Sequence, residues 1–223
     1  MKIQAFNPFL PSYEYIPDAE PYVFGSRVYV YGSHDRFDGE DFCMNDYVCW
    51  SAPIDDLGAW KKERVIYRSV QDPLNEDGTQ HLFAPDVQVG EDGRYYLFYC
   101  LHRSSTVSVA VCDEPAGEYQ FYGHIRYADG ILYGQKQGDV FNFDPGVLKD
   151  DDGRIYLYTG LSYLKDAPMR KYLAGMFQID GSYCVELDKD MLTLKSEPVL
   201  AVPGEVLAEG TDFEGHGFFE ASS

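Results

Sequence analysis

The sequence predicts an all-β fold of the β-propeller kind, with about three blades and the start of a fourth. Three observations lead there. The strand signature Arg27-Val28-Tyr29-Val30-Tyr31 recurs as Arg94-Tyr95-Tyr96-Leu97-Phe98 and as Arg154-Ile155-Tyr156-Leu157-Tyr158, at intervals of 67 and 60 residues. Turn residues precede each copy, and a second β-prone run precedes each turn, which is the pattern of a hairpin. No stretch sustains a helical period. A chain of 223 residues, 45% hydrophobic and 16% aromatic, is long enough to bury a core and too apolar for wholesale disorder.

The first unit opens with Pro21-Tyr22-Val23-Phe24, turns at Gly25-Ser26 and continues through the Arg27 strand. Its second half is Tyr47-Val48-Cys49-Trp50-Ser51, a turn marked by Pro53, Gly58 and Trp60, and Arg64-Val65-Ile66-Tyr67. The second unit pairs Val87-Gln88-Val89 with the Arg94 strand across Glu91-Asp92-Gly93. It then runs through Val107-Ser108-Val109-Ala110-Val111 and past Pro115, Gly117 and Tyr119 to Ile125. The third pairs Gly146-Val147-Leu148 with the Arg154 strand across Asp151-Asp152-Gly153. Its second half is expected at Gly175-Met176-Phe177-Gln178-Ile179, followed by Leu187, Leu192 and Pro198-Val199-Leu200. Four strands per unit, repeated, describe propeller blades. An ordinary sandwich would have to explain three copies of both halves. A fourth unit starts near Asp212-Phe213-Glu214 and is read as stopping short of its own turn.

Charge narrows the partners. Eighteen basic against 37 acidic residues leave a net charge of −19, which repels phosphate and excludes nucleic acid and anionic membranes. No apolar run is long enough to span a bilayer. Nothing at the N-terminus reads as a signal peptide, so a cytoplasmic protein is expected. The five cysteines show no CxxC spacing and the five histidines no ligand spacing, so reduced thiols and no metal site are expected.

In each unit an acid stands eight to ten positions before the repeated Arg: Asp18, Asp86 and Asp144. First strands of propeller blades surround the central channel, so these acids are expected to converge. Converging carboxylates suit sugar hydrolysis, in which one activates water and another protonates the leaving oxygen. The competing reading is that an Asp before a strand supplies turn chemistry, and for any one residue alone it is the better reading. The neighbours shift the balance. Ala84-Pro85-Asp86, Phe143-Asp144-Pro145 and Phe218-Phe219-Glu220-Ala221 set each acid among apolar or ring-constrained residues, which raise proton affinity. His34 and His216 are candidates for sugar hydroxyls, although a lone His is more often an ordinary hydrogen-bonded residue. Phe83 is the best candidate for stacking on a sugar, while the alternation of its strand assigns Trp50 to the core.

Together, Asn7-Pro8-Phe9-Leu10, Pro17-Asp18, Tyr31-Gly32-Ser33-His34-Asp35, Ala84-Pro85-Asp86, Phe143-Asp144-Pro145 and Phe218-Phe219-Glu220 resemble glycoside hydrolase family 43. That family comprises β-xylosidases, α-L-arabinofuranosidases and arabinanases on a five-bladed β-propeller. The resemblance implies that residues 1–223 form a single catalytic propeller domain, incomplete at its C-terminal side. It also implies inverting hydrolysis of pentose-containing oligosaccharides or polysaccharides. By the same resemblance Asp18 is the general base, Asp144 the residue that orients and tunes the acid, and Glu220 the general acid. Asp86 lies in a stretch beside the substrate pocket, as a substrate-facing or a structural acid. The family's base usually precedes Pro directly, and here the run is Pro17-Asp18-Ala19-Glu20-Pro21. Glu20 therefore competes with Asp18, which counting back from the strand selects. No cofactor is implied; some family members hold a calcium ion in the channel, but no oxygen-ligand loop is legible here. Two other classes compete: a sugar-binding propeller or inactive fragment, and a glycoside phosphorylase. The phosphorylase would need a cationic phosphate cradle, and no Arg or Lys cluster beside the acids suggests one.

Overall fold

A computed structural model describes residues 7–217. Its strands form three four-stranded antiparallel sheets, each a meander in chain order. The first is β1 (Glu20–Phe24), β2 (Arg27–Tyr31), β3 (Tyr47–Pro53) and β4 (Lys61–Tyr67). The second is β5 (Leu82–Val89), β6 (Tyr95–Leu101), β7 (Val107–Cys112) and β8 (Gln120–His124). The third is β9 (Gly146–Lys149), β10 (Ile155–Ser162), β11 (Asp180–Leu187) and β12 (Val199–Pro203). These are the three expected blades.

Strand alternation explains how they stack. Side chains on a strand point alternately to opposite faces. On β6, Tyr96, Phe98 and Cys100 join one apolar cluster with Val147, Ile155, Leu157, Val185 and Leu187 of the third blade. Leu97, Tyr99 and Leu101, the alternate residues, join a second cluster with Tyr31, Tyr47, Cys49, Ile66 and Tyr67 of the first. The middle blade is thus buried on both faces, which is why β6 reads as the unbroken apolar run YYLFYCL.

Two expectations for the third blade need correction. Its third strand was expected at 175–179, but residues 175–177 are turn and β11 starts at Asp180. The helix α1 (Pro168–Leu173) occupies the long connection after β10, with Pro168 at its first turn, where a missing N–H costs nothing. Tyr183, Val185 and Leu187 on β11 are the residues that alternate onto the middle blade, and they set the strand's position. Helix is also present where no helical period was legible. At six residues, and four in α2 (Glu205–Ala208), these helices are too short to show one. Of the expected fourth unit, residues 212–216 form an exposed turn beyond α2, and Phe218, Phe219 and Glu220 lie outside the described residues. No helix among the described residues is long and apolar enough to cross a membrane.

Candidate active site at the strand starts

The register of the three hairpins shows which residues occupy equivalent places. Glu20 pairs with Tyr31, Asp86 with Phe98 and Gly146 with Tyr158, each partner lying four residues after its blade's Arg. Glu20, Asp86 and Gly146 are therefore equivalent. Two residues earlier, Asp18, Ala84 and Asp144 form the other equivalent set. This corrects the grouping made by counting back from Arg: Asp86 is not the counterpart of Asp18 and Asp144. The count went astray because it accepted a spread of eight to ten positions: Asp86 stands eight before Arg94 and Asp144 ten before Arg154, although both hairpins turn through five residues.

Backbone conformation marks the same set. Asp18 (φ 52°), Ala84 (φ 23°) and Asp144 (φ 42°) all adopt positive φ. L residues pay for that conformation, and such strain clusters at functional sites. In the middle blade the ladder shifts register between Phe83 and Asp86, a bulge that holds Ala84 and Pro85.

Ser33 and Cys43 form a buried floor beneath Asp18. Ser33, at the end of the β2 run, donates from its hydroxyl to Asp18 Oδ2 at 2.9 Å and accepts from the Ala84 N–H at 2.8 Å. One buried side chain thus fixes Asp18 against the second blade. Cys43 lies below. Burial, and then the carboxylates of Asp35, Asp18 and Asp144, push its thiol up to about 12, against a lowering contact from Ser33. Two acids 126 positions apart in sequence therefore act on the same thiol. Asp144 also acts on Tyr47 and Cys100, both wholly buried. The Tyr47 hydroxyl donates to Phe83 O at 2.8 Å, and the Phe83 ring packs on Phe143 at 5.6 Å and edge-on to His102 at 5.5 Å. Phe83 is half-buried, next to Ala84 in the chain.

Other candidates fall elsewhere. Asp86 is 4% exposed. It accepts from the Tyr22 hydroxyl of the first blade, from its neighbour Val87 N–H at 2.6 Å, and from Val147 N–H of the third blade at 2.5 Å. Both oxygens are committed to joining three blades, so of its two readings the structural one fits. Burial pushes its carboxyl up to about 6, and those three hydrogen bonds hold it from rising further. His34 sits behind the site: Nδ1 lies 2.9 Å from Asp46 O and Nε2 3.6 Å from Glu14 Oε2. Glu14 also takes Trp50 Nε1 and Lys62 Nζ, so His34 belongs to a supporting network. Trp50 is buried, as expected. His216 lies on the exposed turn after α2, and Glu220 lies outside the described residues. Sequence reasoning missed Ser33 and Cys43. Ser33 had one local signal, the Tyr31-Gly32-Ser33-His34-Asp35 motif, and its partners Asp18 and Ala84 lie 15 and 51 positions away; Cys43 had none.

Stacked four-stranded meanders, each opening near an acid, define a β-propeller class. The comparisons narrow this further. The profile of "Glycosyl hydrolases family 43" matches residues 7–220, and the chain belongs to that family. It is 56% identical over 223 residues to a "Xylosidase/arabinosidase" of Thermoclostridium stercorarium, covering all of this chain and 45% of that protein. It is 33% identical over 175 residues to a "Beta-xylosidase" of Xylanibacter ruminicola, covering 71% of this chain and 50% of the relative. The chain thus spans about half the length of these curated relatives. Among solved structures, the GH43_1 enzyme from Xanthomonas citri complexed with xylose superposes with a TM-score of 0.68 at 24% identity. That match covers 94% of this chain and 62% of the other, and it shows the shared fold.

Proposed function

We propose that this protein hydrolyses the glycosidic bonds of pentose-containing oligosaccharides or polysaccharides with inversion, by general acid/base catalysis. The observation that carries the reading is the equivalent placement of Asp18 and Asp144, two residues before the matched Glu20 and Gly146 at the starts of different blades, both at positive φ. Asp18, oriented by Ser33, takes a proton from water as the water attacks the anomeric carbon. Glu220 protonates the departing glycosidic oxygen from the opposite face. Asp144, as a neighbouring negative charge, raises the proton affinity of that acid and keeps it loaded. Phe83 offers its ring to the sugar face. Names among the relatives support a xylose- or arabinose-containing substrate.

The reaction needs two carboxyl groups and water. Calcium, which some family members hold in the channel, would require six to eight oxygen ligands. Asp86, with both oxygens committed, would not be among them. The test is hydrolysis of aryl β-xyloside, aryl α-arabinofuranoside and aryl β-galactoside, with the first-formed anomer read by proton NMR. Pentoside cleavage giving the inverted anomer first is expected. Retention, or cleavage of the galactoside alone, would contradict the proposal.

A further inference from the structure

Asp41, His81 and His102 form a cluster at the rim, apart from the Asp18–Asp144 pair. Asp41 lies on the exposed segment between β2 and β3, His81 immediately precedes β5, and His102 immediately follows β6. The histidines are 21 positions apart, with no ligand spacing to read. The hairpin brings them face to face: His102 N–H donates to His81 O at 2.9 Å, and the rings lie 5.7 Å apart. Asp41 Oδ2 stands 3.7 Å from His81 Nδ1 and 3.9 Å from His102 Nδ1. One ligand atom from each residue lies within 4.8 Å of the other two.

As a purely protein network this arrangement is incomplete. Separations of 3.7 and 3.9 Å are too long for hydrogen bonds. His81 Nδ1 is buried and makes none, a state that costs free energy unless something else meets the nitrogen. A cation between the three would meet it. We propose that Asp41, His81 and His102 bind a divalent transition-metal ion of the zinc type. Two imidazole nitrogens and one carboxylate oxygen are its donor set, and calcium and magnesium prefer oxygen throughout. Ligand atoms around a tetrahedral zinc ion lie about 3.3–3.5 Å apart, given bonds of about 2.0–2.2 Å. Closing to that spacing needs shifts of a few tenths of an ångström and more at the widest pair. Asp41, on an exposed segment with its side chain 43% accessible, is free to move toward both histidines, whose rings would turn to close the gap between them.

The ion would tie the Asp41 segment of the first blade to the β5–β6 hairpin of the second. Because it uses neither Asp18 nor Asp144, this site stands or falls independently of the hydrolase reading.

The experiment uses untagged, chelator-stripped protein. Zinc is titrated in competition with a chromophoric chelator, and cobalt(II) is added separately to report coordination through its visible spectrum. One zinc per chain and a tetrahedral-type cobalt spectrum are expected. H81Q and H102Q should each weaken zinc at least about 10-fold, in line with the loss of a coordinating group. D41N, on the exposed segment, should do the same with thermal unfolding of the metal-free protein unchanged. H216Q should bind zinc as the unsubstituted protein does. Absence of stoichiometric zinc, or equal affinity in D41N, H81Q and H102Q, would overturn the proposal.

Discussion

Asp18 and Asp144 hold a backbone conformation that glycine favours, and neither is glycine. Positions of that kind cost on the order of 1–3 kcal/mol each and persist when the surroundings impose them. Here the residue identity matters more than the strain, because each position carries a carboxylate. On the proposed mechanism, replacing Asp144 by Asn removes the negative charge that raises the general acid's proton affinity. We expect kcat/KM to fall by about 10²–10⁴-fold. The alkaline limb of its pH profile should move to lower pH, since a negative neighbour raises an acid's pKa and its loss lowers it. An unmoved limb would leave Asp144 a purely structural role. Asp86 makes a different prediction. Its folded value of about 6 lies above the ordinary carboxyl range. Folding therefore favours the protonated form, and that contribution is full below about pH 4 and lost as pH rises through 6, about 2–3 kcal/mol in all. Chemical denaturation between pH 4 and 7 should show D86N losing this slope while being less stable overall, because Asn cannot accept from three donors. Residue types and neighbours are enough to mark Asp18 and Asp144 as candidates. They cannot show that Asp86 is a neighbour of that pair and not its counterpart, because that depends on the pairing register, in which Asp86 matches Gly146.

At the scale of elements, the strands were legible where aromatic and β-branched runs alternate beside Asp-Gly turns. The first two blades and the β9–β10 hairpin match their expected runs closely. What failed was β11, whose start is fixed by packing against the middle blade and by the helix before it. The rim histidines failed likewise, since a hairpin and not a local spacing joins them. A glycine holds the Asp18 loop to its strand. Gly32 follows β2, and a Cβ there would stand 2.6 Å from Ile16 Cγ2 and 2.8 Å from Pro17 O. The segment it would displace leads directly into Asp18. Gly32→Ala should cost about 1–3 kcal/mol by overpacking. It should also lower kcat by up to about 100-fold, the effect of misplacing a reacting group by about 1 Å. Thermal unfolding and steady-state kinetics on the same preparation check both. Full activity in G32A would show that the Asp18 loop is not held by this contact.

Across the whole molecule, stacking converts a repeated strand into a shared site. The middle blade packs its alternate β6 residues against both neighbours, and the inner strand starts of all three are thereby brought to one end. The repeat itself was readable, as was the number of strands in each blade. Its phase was not: whether Asp18 or Glu20 leads the first blade depends on pairing across the hairpin. With that register, Glu20 takes the structural place of Asp86, and it does act electrostatically on Asp86 and Tyr22. Asp18 takes the place of Asp144.

The direct test is therefore aryl-pentoside hydrolysis by D18N and E20Q side by side, with folding confirmed by circular dichroism. The account predicts a loss of about 10²–10⁴-fold in kcat for D18N, the scale of a general base, and activity within about 10-fold of the unsubstituted protein for E20Q. The reverse pattern, with E20Q inactive and D18N active, would contradict it.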